Sequence, residues 1–207
     1  MSIEVWLSFV IACAVLTLIP GPCVLLVISQ SLTKGIRAAL MCILGDVIGG
    51  IILMVLSLVG VGAILATSAT LFMIFKWLGV GYMAYLGYCQ IKDARAYTAN
   101  NNPTDDQAQN IDSMKAGFIA SSLNPKAIAF YMAFLPQFMT PGSDQVLQFA
   151  ILIVTSSVVV AVILAGYALV AASASRFFQH QKSEKYLGYV GGSFLISGSA
   201  YMATAVK

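Results

Sequence analysis

Six long apolar runs leave this chain few ways to fold: Val5 to Ser31, Ala38 to Ala63, Leu71 to Gln90, Met114 to Phe138, Val146 to Ala172 and Tyr186 to Val206. A helix of about 20 such residues crosses a hydrocarbon layer about 30 Å thick. In lipid a segment has to satisfy its own backbone, so each run predicts a helix. The alternating strands of a membrane barrel are absent from the pattern. Composition agrees, with 59% hydrophobic and 9% charged residues, where a soluble domain carries about 25% charged. The expectation is an all-α integral membrane protein of six transmembrane helices, with no separate soluble domain in its 207 residues. A net charge of +3 without a basic, aromatic-interleaved patch gives no sign of a nucleic-acid partner.

The N-terminus, Met1 to Trp6, lacks the positive segment of a cleavable signal, so the first run is read as a span. Cys13, Cys23, Cys42 and Cys89 all sit in apolar stretches without metal-ligand or Cys-x-x-Cys spacing. They read as buried thiols, and neither a metal nor a cofactor is expected.

Lys34 and Arg37 lie in the first loop, Lys92, Arg95 and Lys115 around the third, and Arg176, Lys182 and Lys185 in the fifth. Basic residues mark cytoplasmic loops, so the odd loops face the cytoplasm and both termini face outside. His180, in the last of these loops, reads as solvated. Tyr97 to Asp112 is the one long hydrophilic stretch and reads as a cytoplasmic linker, residues 97–112. It separates a first three-helix repeat, 1–96, from a second, 113–207. Lys76-Trp77-Leu78-Gly79 recurs as Lys185-Tyr186-Leu187-Gly188, and Pro20 and Pro125 stand at nearly the same offset. Halves of three spans each must insert with opposite topology, so the repeat predicted is an inverted one.

Two proline-bearing motifs interrupt this scheme. Ile19-Pro20-Gly21-Pro22 lies inside the first run and Leu123-Asn124-Pro125-Lys126 inside the fourth. Proline removes a backbone donor and clashes with the carbonyl a turn earlier, so helices 1 and 4 are predicted to be broken. Irregular backbone at membrane depth is tolerated where it lines a polar cavity. The plainer alternative is a pair of kinks that only shape the bundle.

Asp46 stands about ten residues beyond Arg37, a depth of about 15 Å at the helical rise, and Lys126 is about twelve residues past Met114. Ionisable groups so deep usually mark a pathway. Asp46 and Lys126 read either as a structural ion pair or as a site for the two ends of a zwitterion, with Asp46 also relaying protons. Free N–H groups after Pro22 or Pro125 suit a carboxylate, and Asn124 could add a donor and an acceptor. Gly45, Gly49 and Gly50 read as a close-packing stripe. Tyr82, Tyr85 and Tyr88 suit packing and cavity lining equally.

Pro20-Gly21-Pro22, Lys76-Trp77-Leu78-Gly79 with Tyr82, Tyr85, Leu86 and Gly87, Asn124-Pro125-Lys126-Ala127 and Leu135-Pro136-Gln137-Phe138 occur in this order along essentially the whole chain. In these motifs the chain resembles the lysine exporter / homoserine–threonine resistance (LysE/RhtB) family of bacterial amino-acid efflux proteins. The resemblance implies an inner-membrane secondary exporter of small amino acids or close analogues, driven by proton antiport, with a homodimer among its expected partners. It carries Pro20, Gly21, Pro22, Asn124, Pro125 and Lys126 over as substrate-binding positions, to which the depth argument adds Asp46. Cys23 stands where relatives frequently have Asn, and Val160 where some have an acid, which moves the expected proton-coupling role to Asp46. The competing readings are a passive channel and a membrane thiol–disulfide electron carrier built on Cys23. No enzyme activity is expected.

Overall fold

A computed structural model gives the fold and describes residues 1–58, 69–96, 106–131, 135–139, 144–176 and 181–204. The first apolar run divides where its prolines fall. Helix α1 (Ile3–Leu18) starts under the Ser2 hydroxyl, which accepts from the Val5 N–H, with Glu4 in its positive first turn. It ends at Leu18 because Pro20 cannot donate, and Ile19 is extended at φ −70°, ψ 118°, as a residue before proline tends to be. Helix α2 (Pro22–Leu58) restarts with proline at its first position, where a missing N–H costs nothing.

Within α2 the chain turns at Gly35, whose φ of 84° and ψ of 175° suit only glycine. Nothing lies within 4 Å of where a Cβ would stand, so conformation rather than space selects glycine here. Cys23 on the first arm meets Asp46 on the second, so the two arms fold back on each other. The remaining elements are α3 (Ala69–Ala96), α4 (Asp106–Ser122), the short α5 (Pro125–Ala129), a 3-10 turn (Leu135–Phe138), α6 (Gln145–Arg176) and α7 (Gln181–Thr204). No strand occurs among the described residues.

Helix α4 begins at Asp106, so 106–112, read as linker from the sequence, are helical. The linker residues 97–105 and His180 lie outside the described residues, as do the side chains of Lys76 and Lys185. The fourth run does not continue to Phe138 as one rod. It breaks at Leu123-Asn124, widens at Phe130 and Tyr131, and closes in the 3-10 turn that contains Pro136. The Ser57 hydroxyl donates to the Tyr131 carbonyl at 2.7 Å, supplying a partner where the regular ladder stops.

Glycines set how closely the helices approach. A Cβ on Gly117 would strike the Cys42 carbonyl, and one on Gly49 would lie 2.9 Å from Phe118 and Ser121. The second arm of α2 and α4 therefore touch backbone to backbone and run in the same direction. Gly87 and Gly192 meet reciprocally, since a Cβ on either would stand 2.7 Å from the other's carbonyl oxygen; one on Gly87 would also meet Ile196 and one on Gly192 would meet Ile91. Helices α3 and α7 thus run in opposite directions. The Gly45–Gly49 stripe is a packing surface, while Gly50 faces inward beside Tyr131.

Two apolar clusters form the core. One gathers Leu26, Cys42, Met83, Leu164 and Leu195, the other Phe9, Met54, Phe130, Leu135 and Leu152. The outside is apolar too. Val154, Val158 and Val162, one turn apart on α6, are each more than half exposed, and so are Ile11, Val15, Trp77 and Val190 on other helices. Water would not favour so continuous an apolar exterior, whereas acyl chains would. Gln145–Ala174 is long and apolar enough to cross a membrane.

Candidate functional site

Between the two clusters, α2 and α6 turn different residues inward. Along the second arm of α2, Asp46, Val47 and Gly50 fall between Cys42 and Met54; along α6, Ser156, Ser157 and Val160 fall between Leu152 and Leu164. These residues, with Leu16, Thr17, Gly21 and Cys23 from the first break and Ser121, Asn124, Lys126 and Tyr131 from the second, line a cavity of about 60 Å³. Both breaks therefore open onto one space. At about 10–15 Å³ per probe-sized water, it has room for a few water molecules.

The first break leaves carbonyls that no helix can satisfy. In a continuous helix Leu16 O would accept from residue 20 and Leu18 O from residue 22, but both of those are prolines. Each carbonyl finds a donor from a distant helix. Lys126 Nζ donates to Leu16 O at 2.8 Å and to Ile19 O at 2.7 Å, and Tyr167 OH donates to Leu18 O at 2.8 Å. A Cβ on Gly21 would sit 3.1 Å from Lys126 Nζ and 3.3 Å from its Cε, so Gly21 leaves room for the lysine stem.

The second break is satisfied locally. Asn124 caps α5, its side-chain oxygen accepting from the Lys126 N–H at 3.1 Å, while its Nδ2 donates to Cys23 Sγ at 3.3 Å. Both ends of this amide are engaged, and each keeps capacity for one further bond, since Nδ2 carries a second N–H and the oxygen a second lone pair. Pro125 occupies the first helical position, and Ile128 N–H returns to the Asn124 carbonyl at 2.9 Å. Behind the break, a Cβ on Gly79 would stand 2.5 Å from the Leu123 carbonyl oxygen. That contact explains the glycine of the Lys-Trp-Leu-Gly motif.

Asp46 is 5% exposed, hydrogen-bonded to Cys23 and Ser121, and its Oδ1 has no partner. Ser157 Oγ on the opposite wall is likewise without one. A buried carboxyl oxygen left unpaired is costly, and two such atoms around one cavity create a demand for a polar guest. Among the described residues no ion pair joins Asp46 to Lys126; the lysine is taken up by carbonyls instead.

Of the seven sequence-predicted positions, Gly21, Asp46, Asn124 and Lys126 line the cavity, while Pro20, Pro22 and Pro125 make the breaks without lining it. Val160, where an acid was considered, lines the wall as an apolar residue. The tyrosines of α3 do not line it: Tyr85 and Tyr88 point outward and Tyr82 packs against the core. The sequence reading missed Ser157, Tyr131 and Tyr167. For Tyr167 a signal existed, since two prolines two residues apart orphan two carbonyls and require two donors. Cys13, Cys23, Cys42 and Cys89 are free thiols. Among the described residues, groups of three or more metal-ligating side chains are absent.

A family model described as LysE type translocator matches residues 14–205, a stretch that includes both breaks and every cavity-lining residue. The chain belongs to the LysE type translocator family. An uncharacterized membrane protein of Vibrio cholerae serotype O1 is 31% identical over 99% of this chain and 99% of its own length. A homoserine/homoserine lactone efflux protein of Salmonella typhimurium is 33% identical over 99% of this chain and 98% of its own; that of Salmonella typhi is 32% identical over the same shares. No solved structure matches the chain. As a LysE type translocator the protein is a membrane transporter, in keeping with its lipid-suited exterior.

Proposed function

We propose that this translocator is a proton-coupled exporter of small amino acids or close analogues across the bacterial inner membrane, with the shared cavity as its cargo site. The observation that carries this reading is the convergence of two helix breaks, a buried carboxyl with an unpaired oxygen and a lysine ammonium on one space flanked by two apolar clusters. A zwitterion needs groups of both signs, and alternating access needs two closures that open in turn. The relatives named for homoserine efflux favour an amino-acid cargo.

Six spans arranged as two inverted three-helix repeats, with both termini outside, fit the packing directions. Opposite running of α3 and α7 is what related third spans of inverted halves require, and parallel α4 and second arm of α2 are what spans two and four require. Asp46 is the proton-coupling residue in this scheme, as the cavity's carboxyl. The test is export measured in cells and vesicles with and without an imposed proton gradient. Collapse of the gradient stops uphill export, and Asp46→Asn inserts normally but loses the gradient-driven part. Unchanged uphill export in both cases would reject proton coupling, and challenge with a panel of toxic amino-acid analogues identifies the cargo.

A further inference from the structure

The two carbonyls that hold Lys126 form a site in their own right. Leu16 O lost its helical donor to Pro20, and Ile19 O belongs to the extended residue of the break. Together they hold one primary ammonium at 2.8 and 2.7 Å. Across the same cavity Asp46 Oδ1 lacks a partner although the residue is 5% exposed. The lysine is close enough to interact electrostatically with that carboxyl, and Gly21 leaves its stem unobstructed. One ammonium thus has two acceptor sets within the cavity, of which this conformation satisfies one.

We infer that Lys126 is a two-position latch over a primary-ammonium site formed by the Leu16 and Ile19 carbonyls. In one position it fills that site; in the other it pairs with Asp46 Oδ1 while an incoming primary ammonium takes the carbonyls. The exchange satisfies both acceptor sets, whereas the lysine on the carbonyls leaves Asp46 Oδ1 orphaned and its withdrawal alone would orphan two carbonyls. Resting on the exporter reading, the latch assigns the ammonium of the cargo to the first break and makes Asp46 the partner of Lys126 rather than of the cargo.

The experiment uses the full-length protein in lipid nanodiscs and titrates n-butylammonium, which is the lysine side chain cut free. Tetramethylammonium, with the same number of heavy atoms but no N–H, controls for charge. Lys126→Ala tightens n-butylammonium about tenfold, the worth of one hydrogen bond to a charged group, and leaves tetramethylammonium much less changed. Asp46→Asn weakens n-butylammonium about tenfold while Lys126 is present, because the latch then has nowhere to go. In the Lys126→Ala background the same change has little effect. Equal weakening by Asp46→Asn in both backgrounds, or equal tightening of both cations by Lys126→Ala, overturns the latch. Should Lys126→Ala not fold, Lys126→Met takes its place in the same cycle. An intact cycle in a protein that exports nothing counts against the exporter reading alone.

Discussion

The two helix breaks meet the same demand in opposite ways. In the second, neighbouring residues supply the partners: Asn124 caps α5 two residues ahead of the N–H it accepts from, and its own carbonyl takes the Ile128 N–H. In the first, Pro20 and Pro22 orphan carbonyls within two residues of each other, and both donors come from more than a hundred residues away, Lys126 and Tyr167. A break capped by its own neighbours is a fixed piece of architecture. A break capped across the cavity holds its shape only while its remote donors stay in place, and a transporter can use that dependence.

The sharpest way to break this contrast is to remove the remote cap. Lys126→Met leaves the Leu16 and Ile19 carbonyls without a donor and destabilises the protein by about 2–3 kcal/mol, since a bond to a charged group is worth about 1.5–3 kcal/mol and the lysine is only partly buried. Thermal unfolding in detergent reads the loss, and n-butylammonium restores part of it. Asn124→Ala, which removes the local cap, costs about 1 kcal/mol. A larger loss at Asn124 than at Lys126 in the same assay would reverse the ranking of the two breaks. Tyr167→Phe takes one neutral hydrogen bond from Leu18 O and costs about 0.5–1 kcal/mol, checked on the same melting curve. Cys23→Ser is the smallest change, within about 0.5 kcal/mol and with near-normal export, because a hydroxyl can serve both Asn124 and Asp46. A dead Cys23→Ser variant would point instead to thiol chemistry in the cavity.

Much of this was legible in the residues. Both breaks follow from proline alone, because the lost donor and the ring clash are local facts. The shared depth of Asp46 and Lys126 follows from the helical rise, and the close-packing role of Gly45 and Gly49 from their spacing. What the sequence hid was the partner of Lys126. Opposite charges invite pairing on paper, but the acceptors here are main-chain carbonyls, which carry no letter in a sequence. Ser157 and Tyr131 were hidden for another reason: an ordinary hydroxyl becomes part of a site only through the rotation of its helix, which tertiary packing decides. The start of α4 at Asp106 was missed because polarity marked 106–112 as linker, although a polar stretch of Gln and Ala can extend a helix.

Gly79 carries a mechanical consequence. With the Leu123 carbonyl 2.5 Å from where its Cβ would be, α3 stands directly against the back of the second break and denies it any retreat. The first break is held instead by hydrogen bonds from Lys126 and Tyr167, which can be exchanged. Any swelling of the pocket is therefore lopsided, with one rigid side and one yielding side.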